Sequence, residues 1–200
     1  MRNITRVIKW FCCKLLYKVE VHNSEALDKY NSYLICPNHS CVFDPVFVYP
    51  GKYENDVHIM AKAELFNHIS FRWLAKRFNI FPIDREKTDV RSLLKSLDVF
   101  KNDENAKLLM FPEGKIVIEE SDAGRVYKKG AAFVAAHINK PIVPVFITRR
   151  PKFFQKVDVI FGEPFFLDTK EQNGQNKMEY LSQEIIDSIY KLNSNSDSEG

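Results

Sequence analysis

Tyr33-Leu34-Ile35-Cys36-Pro37-Asn38-His39-Ser40-Cys41-Val42-Phe43-Asp44-Pro45 begins as a short apolar run, stops at a proline, crosses a polar loop and ends on an Asp-Pro step. An apolar run of this length bounded by turn formers reads as a strand buried on both faces, the kind that parallel sheets contain. The Asp-Pro step reads as a helix start, because aspartate caps free N–H groups and proline at the first helical position lacks only an N–H that has no partner there. The alternation repeats downstream. Residues 79–83, 106–111, 142–147 and 157–161 read as further strands, and residues 45–49, 63–77, 88–101 and 130–139 as helices, with Thr88 opening the apolar stripe Val90, Leu93, Leu94 and Leu97. This order predicts an α/β fold, a mostly parallel central sheet flanked by helices. Ligands of such sheets collect beyond the carboxyl ends of the strands.

The chain has 200 residues, 45% hydrophobic and 28% charged, which suits one domain with a buried core and excludes a wholly disordered or low-complexity chain. A net charge of +3 gives no reason to expect a nucleic-acid partner. No apolar stretch approaches the roughly 20 residues of a spanning helix, so no transmembrane span is expected. Cys36, His39 and Cys41 lack the repeated paired spacing of structural zinc sites. No metal is expected, and the cysteines read as reduced thiols.

The two ends differ from the middle. Residues 1–19 carry Arg2, Arg6, Lys9, Lys14 and Lys18 without an acid, while Ile4, Val7, Ile8, Phe11, Leu15 and Val19 recur at helical spacing. This predicts an N-terminal amphipathic interfacial helix over 1–19, with Trp10 and Tyr17 at headgroup level and the cations drawn to an anionic membrane surface. Lys9 and Lys14 interrupt the apolar region and no small-residue cleavage site follows, which argues against a signal peptide. Residues 20–192 read as the folded domain, closed by a helical stripe of Met178, Leu181, Ile185, Ile189 and Leu192, and the polar stretch 193–200 as a disordered tail.

Three loops that follow predicted strands hold the groups a site requires. The first contains His39 and Asp44, separated by four residues, too far around a helix to meet, so a bond between them needs a non-helical turn. There Asp44 either caps the helix or holds one imidazole nitrogen while the other takes a proton from an acceptor hydroxyl. Neither a serine nor a cysteine need be acylated in that scheme, and Cys41 lies too close along the turn to align well as a nucleophile. The second loop contains Asp84-Arg85, where Arg85 reads as a surface ion-pair partner or as a forked clamp for phosphate oxygens. The third, Phe111-Pro112-Glu113-Gly114-Lys115, offers a carboxylate, a glycine permitting close approach and a cation, with Lys128 and Lys129 following.

Together these segments resemble the glycerolipid acyltransferase family that includes the 1-acylglycerol-3-phosphate acyltransferases. Asn38-His39 through Asp44 matches that family's histidine, four residues, aspartate signature. Phe81-Pro82-Ile83-Asp84-Arg85 resembles its second block, Phe111-Pro112-Glu113-Gly114 matches its third, Tyr127-Lys128-Lys129-Gly130-Ala131 resembles the lysine-glycine continuation and Val143-Pro144-Val145 the fourth. The resemblance implies a fatty acyl transfer from an acyl-CoA or acyl carrier protein thioester to the free hydroxyl of lysophosphatidate, giving phosphatidate, with no resident cofactor. It implies His39 as general base, Asp44 as its orienter, Arg85 and Lys115 on the acceptor phosphate, Glu113 and Gly114 shaping the acceptor site, and Lys128 or backbone amides at the oxyanion. It also implies a lysophospholipid acceptor in a bilayer, and with no signal peptide expected this places the chain as a peripheral, monotopic protein on the cytoplasmic face of the membrane. Three positions depart: Cys41 stands for the usual serine, Asn79 for a glycine, and Lys115-Ile116 for the usual Thr-Arg. The last departure removes a forked phosphate ligand and would suit another acceptor, such as glycerol-3-phosphate or a different lysolipid, or an inert lipid-binding module.

Overall fold

The computed structural model describes residues 11–48, 57–77, 79–83, 90–169 and 176–196. Its strands are β1 (Lys18–His22), β2 (Tyr33–Pro37), β3 (Val57–Lys62), β4 (Ile80–Ile83), β5 (Lys107–Leu109), β6 (Ile142–Ile147) and β7 (Lys156–Phe161). The α-helices are α1 (Asp44–Phe47), α2 (Ile69–Arg77), α3 (Val90–Asn102), α4 (Gly130–Ile138) and α5 (Lys177–Ser196). The strands form one seven-stranded sheet in the order β1-β7-β6-β2-β5-β3-β4. Every neighbouring pair is parallel except β6 with β7. The α/β architecture with a mostly parallel sheet is as the sequence predicts.

Alternation along the central strands divides the core into two layers. Tyr33, Ile35, Leu109, Val143, Val145 and Ile147 face one side, where Phe47 of α1, Leu27 and Tyr17 cover them. Leu34, Cys36, Leu108, Ile142 and Phe146 face the other, under Phe100 of α3, Ala131, Val134 and Ala135 of α4, and Leu181, Ile185 and Ile189 of α5. All six residues of β6 are buried, which is why it reads as an unbroken apolar run.

The connection after β2 leads toward β3, beyond β5, and the one after β5 leads to β6, beyond β2. Neighbouring strands whose chains depart in opposite directions leave a crevice between their carboxyl ends, where α/β sheets bind ligands. The antiparallel β7 and its parallel neighbour β1 begin at that same edge, so residues 11–17 and 148–155 border it too.

Several expectations need correction. Residues 63–77 are not one helix: a 3-10 turn at Ala63–Asn67 and α2 are separated by His68, which is extended at ψ 127°. Strands β1 and β3 escaped the sequence reading because Lys18, Glu20, His22, His58 and Lys62 interrupt their apolar residues, and in β1 only Val19 is buried. The expected interfacial helix over 1–19 lies largely outside the described residues. Within them Phe11–Leu16 is a π-helical turn and Lys18 already begins β1, so Val19 belongs to the sheet. Tyr17 is not at a surface: it is 2% exposed and its ring packs on Phe43, Phe47 and Phe153. Helix α5 continues past Leu192 to Ser196, into the stretch read as a tail. Asn79, at the position where a glycine is usual, has φ 49°, a left-handed conformation that asparagine tolerates better than most side chains.

Candidate active site

Asn38 closes the end of β2 onto β6. Its side-chain amide donates to the Ile147 carbonyl at 2.9 Å and its side-chain oxygen accepts from the Ile147 N–H at 2.7 Å, continuing the strand pairing by one residue. The chain then turns, and the Asp44 Oδ2 oxygen accepts from His39 Nδ1 at 3.0 Å and from the backbone N–H groups of Ser40 and Cys41 at 2.7 and 2.8 Å. Asp44 makes no side-chain cap to the helix it begins; the carboxylate faces back into the loop. Asp44 is fully buried and His39 7% exposed, with its ring stacked on Phe111 at 3.9 Å and 23°. A carboxylate only accepts, so Nδ1 carries a hydrogen, and in the neutral imidazole the lone pair is then on Nε2, the tautomer a general base requires.

Glu113 joins this loop from β5. The turn is closed by the Gly114 N–H donating to the Phe111 carbonyl at 3.0 Å. The Glu113 carboxylate is fully buried, with Oε2 accepting from the backbone N–H of His39 at 2.8 Å and Oε1 from the Tyr190 hydroxyl at 2.6 Å. Burial pushes its pKa up, and the bonds from Tyr190 and the His39 backbone offset part of that rise. Burial, together with the acceptor Glu113, also raises Tyr190, which keeps its hydroxyl a donor. Arg149 completes the network, donating to the Tyr190 oxygen at 3.1 Å, to the Val117 and Glu119 carbonyls at 3.3 Å and to Glu120 at 3.2 Å. Tyr190 and Arg149 were missed by the sequence reading. Tyr190 follows Ile189 and falls off the apolar stripe of its helix, and Arg149 reads as an ordinary cation after a strand.

His39, Asp44 and Glu113 therefore meet at the edge of β2 and β5. Gly114 has φ 68°, and a Cβ there would sit 2.4 Å from Lys128 Cγ; the close approach that the glycine permits is made by the Lys128 stem. The Lys128 backbone N–H donates to the Pro112 carbonyl at 2.8 Å, fixing that stem to the same turn. Lys115 is half exposed and pairs with Asp122 at 3.9 Å. Arg85 lies outside the described residues.

Cys41 is poorly suited to nucleophilic attack, because burial raises its thiol pKa and the thiolate is the reactive form. Cys36 is fully buried and raised further. Among the described residues, Cys13, Cys36 and Cys41 form no disulfide. Among the described residues one donor set could hold a metal, Glu20, His22 and Asp158, at the far edge of the sheet. The Lys156 ammonium lies 3.0 Å from both carboxylates and occupies the cation's place there.

A family model described as Acyltransferase matches residues 18–148. The chain is 29% identical over 161 residues to the 1-acyl-sn-glycerol-3-phosphate acyltransferase of Streptococcus pneumoniae, covering 77% of this chain and 58% of that protein. It is 28% identical over 151 residues to the protein of the same name from Bacillus subtilis, covering 73% of each. The chain thus spans less than two thirds of the first relative's length. Its fold is similar to the crystal structure of the 1-acyl-sn-glycerophosphate acyltransferase of Thermotoga maritima, with a TM-score of 0.62 and 24% identity, covering 88% of this chain and 72% of that one.

Proposed function

We propose that this chain, which belongs to the acyltransferase family, moves a fatty acyl group from a thioester of coenzyme A or acyl carrier protein to the free hydroxyl of lysophosphatidate, forming phosphatidate. The observation that carries the reading is the buried His39–Asp44 pair at the sheet's switch point, with Nδ1 held at 3.0 Å and Nε2 left as the basic nitrogen. In this scheme Nε2 takes the hydroxyl proton as the oxygen forms its bond to the thioester carbonyl carbon. The carbonyl electron pair moves to the oxyanion. Its return breaks the C–S bond, and the imidazolium gives its proton to the departing thiolate, which leaves as free thiol. Asp44 stabilises the imidazolium without taking its proton. No acyl-enzyme is needed.

The remaining roles rest on side-chain chemistry and on the family resemblance. Arg85 and Lys115 hold the acceptor phosphate, the arginine by its fork and the lysine as a point charge. Glu113 fixes the His39 backbone, and Gly114 lets the Lys128 stem close on the turn, leaving the Lys128 ammonium as a candidate partner for the oxyanion. The lipid acceptor calls for a peripheral position on an anionic membrane surface, with the basic and apolar sequence ahead of β1 drawn to it. No helix among the described residues is long and apolar enough to cross a membrane.

The test is an acceptor panel. Purified chain is incubated with acyl-CoA or acyl carrier protein thioester and with lysophosphatidate, other lysolipids or glycerol-3-phosphate, and the acylated products are separated. Phosphatidate as the main product supports the reading. Preference for another acceptor would assign the Lys115-Ile116 departure to acceptor choice, and no product from well-folded protein would leave a lipid-binding module.

A further inference from the structure

Residues 148–155 join β6 to β7 in a loop whose sequence and conformation conflict. Phe153 and Phe154 are 57% and 65% exposed, and Phe154 has φ 65°. Arg150 in the same loop has φ 51°. A bulky aromatic residue in the left-handed region is a backbone outlier that local preference does not favour, and at this exposure packing does not compensate. The loop is nevertheless held in place: the Phe154 N–H donates to the Leu16 carbonyl at 2.7 Å and the Lys18 N–H to the Gln155 carbonyl at 3.0 Å. Phe153 packs on Tyr17 at 5.2 Å.

The surface around this loop continues to the candidate active site. The Arg150 N–H donates to Ser40 Oγ at 3.1 Å, and Tyr17 packs on Phe43 at 5.6 Å. The Val117 N–H donates to the His39 carbonyl at 2.8 Å. Beside these contacts stand Leu15 at 50%, Val42 at 74% and Ile118 at 56% exposure. The two touching segments, residues 11–19 and 148–157, contain Lys14, Lys18, Arg149, Arg150, Lys152 and Lys156 and no acidic residue. Glu120 pairs with Arg149, and Glu20 and Asp158 with Lys156. Lys14, Lys18, Arg150 and Lys152 are exposed.

We infer that Phe153 and Phe154, with Leu15, Val42 and Ile118, form a membrane-insertion face that docks the edge holding His39 on an anionic lipid bilayer. Single apolar side chains spaced on loops with cations between them fit a lipid surface, which yields around each one. A protein partner requires a contiguous packed patch with shape complementarity. Aromatic rings enter the headgroup boundary while lysine and arginine meet anionic headgroups. The Phe154 backbone is tied to Leu16, so part of the cost of ordering this loop is met before binding. Leu15 of this face lies within the anchor expected in residues 1–19, whereas Phe153, Phe154, Arg150 and Lys152 lie outside it, and binding is read without turnover.

The test uses the full chain and vesicles of phosphatidylglycerol and phosphatidylcholine in equal parts, beside vesicles of phosphatidylcholine alone, with co-sedimentation and thermal unfolding as readouts. Phe154→Gly removes the ring and suits the positive φ, so unfolding temperature stays or rises while partition to the anionic vesicles falls about tenfold. The double change Arg150→Glu with Lys152→Glu lowers partition to the anionic vesicles by a similar factor and leaves that to phosphatidylcholine alone unaltered. Phe166→Ser, at a half-exposed aromatic by the opposite sheet edge, leaves partition to both kinds of vesicle unaltered. Undiminished binding of Phe154→Gly would overturn the inference, as would equal loss in Phe166→Ser or a fall in the unfolding temperature of Phe154→Gly matching its loss of binding.

Discussion

Two loops leave the adjacent strands β2 and β6 at one edge of the sheet and are built in opposite ways. After β2, buried side chains are held by more bonds than the backbone turn needs: one oxygen of Asp44 takes His39 Nδ1 and the Ser40 and Cys41 N–H groups, and Glu113 takes the N–H of His39. After β6, the loop points aromatic rings outward and holds Arg150 and Phe154 at positive φ. The first arrangement keeps one imidazole in one tautomer and one direction, the condition for proton transfer. The second is fixed at its base and unsatisfied at its tip, the condition for a surface that acts on something outside the chain. On the two proposals, chemistry and docking fall to neighbouring loops, which the Arg150–Ser40 bond links.

The division can be broken by substitutions that affect the wrong loop's function. His39→Ala should reduce phosphatidate formation about a thousandfold while vesicle partition stays near that of the unaltered chain. A parallel loss of vesicle binding would merge the two regions. Asp44→Asn should lower kcat about a hundredfold or more, because an amide can present N–H where the imidazole and two backbone groups need an acceptor. It should also lower stability by about 1–3 kcal/mol, measured by urea unfolding. Tyr190→Phe leaves a buried Glu113 oxygen without its donor; we expect about 1–2 kcal/mol less stability and a several-fold lower kcat. Phe154→Gly should leave turnover of a short-chain, freely soluble acceptor unchanged, and a fall there would show that the outer loop shapes the chemistry as well.

The smallest expected effect concerns pH. Burial raises the Glu113 pKa above its usual value, with Tyr190 and the His39 backbone offsetting part of the rise. The folded chain then keeps this proton after the unfolded chain has released it. Stability from this group is fully present below the usual carboxyl value near 4.3 and falls as pH rises through the higher folded value. Glu113→Gln removes that slope. The urea midpoint of the variant relative to the unaltered chain should therefore climb across this window, and a flat difference would mean that Glu113 titrates normally.

The two loops were unequally legible in the sequence. Buried strands β2 and β6 show as unbroken apolar runs, and the loop between β2 and α1 carries its histidine and aspartate within a single turn, so a local pattern predicts both the element and the pair. Glu113 was singled out, but what it holds depends on Tyr190, 77 residues away, and no spacing rule connects them. Arg149 is similar: its partners lie about 30 residues upstream and on α5. The charged strand β1 was read as part of a helix because Val19 continued an apolar stripe, whereas pairing with β7 decides its state. Phe153 and Phe154 gave no signal at all, since an aromatic pair after a proline reads equally as core; only the positive φ and the exposure distinguish it.

The central claim is acyl transfer to a lysophosphatidate hydroxyl with His39 as the base. Its most direct test is to follow, in one reaction, thiol release from the acyl thioester and phosphatidate formation from lysophosphatidate, with and without the acceptor. The account predicts one thiol released for each phosphatidate formed, and negligible release without acceptor. Thiol release that proceeds equally without lysophosphatidate and yields free fatty acid would contradict it, because His39 would then be activating water.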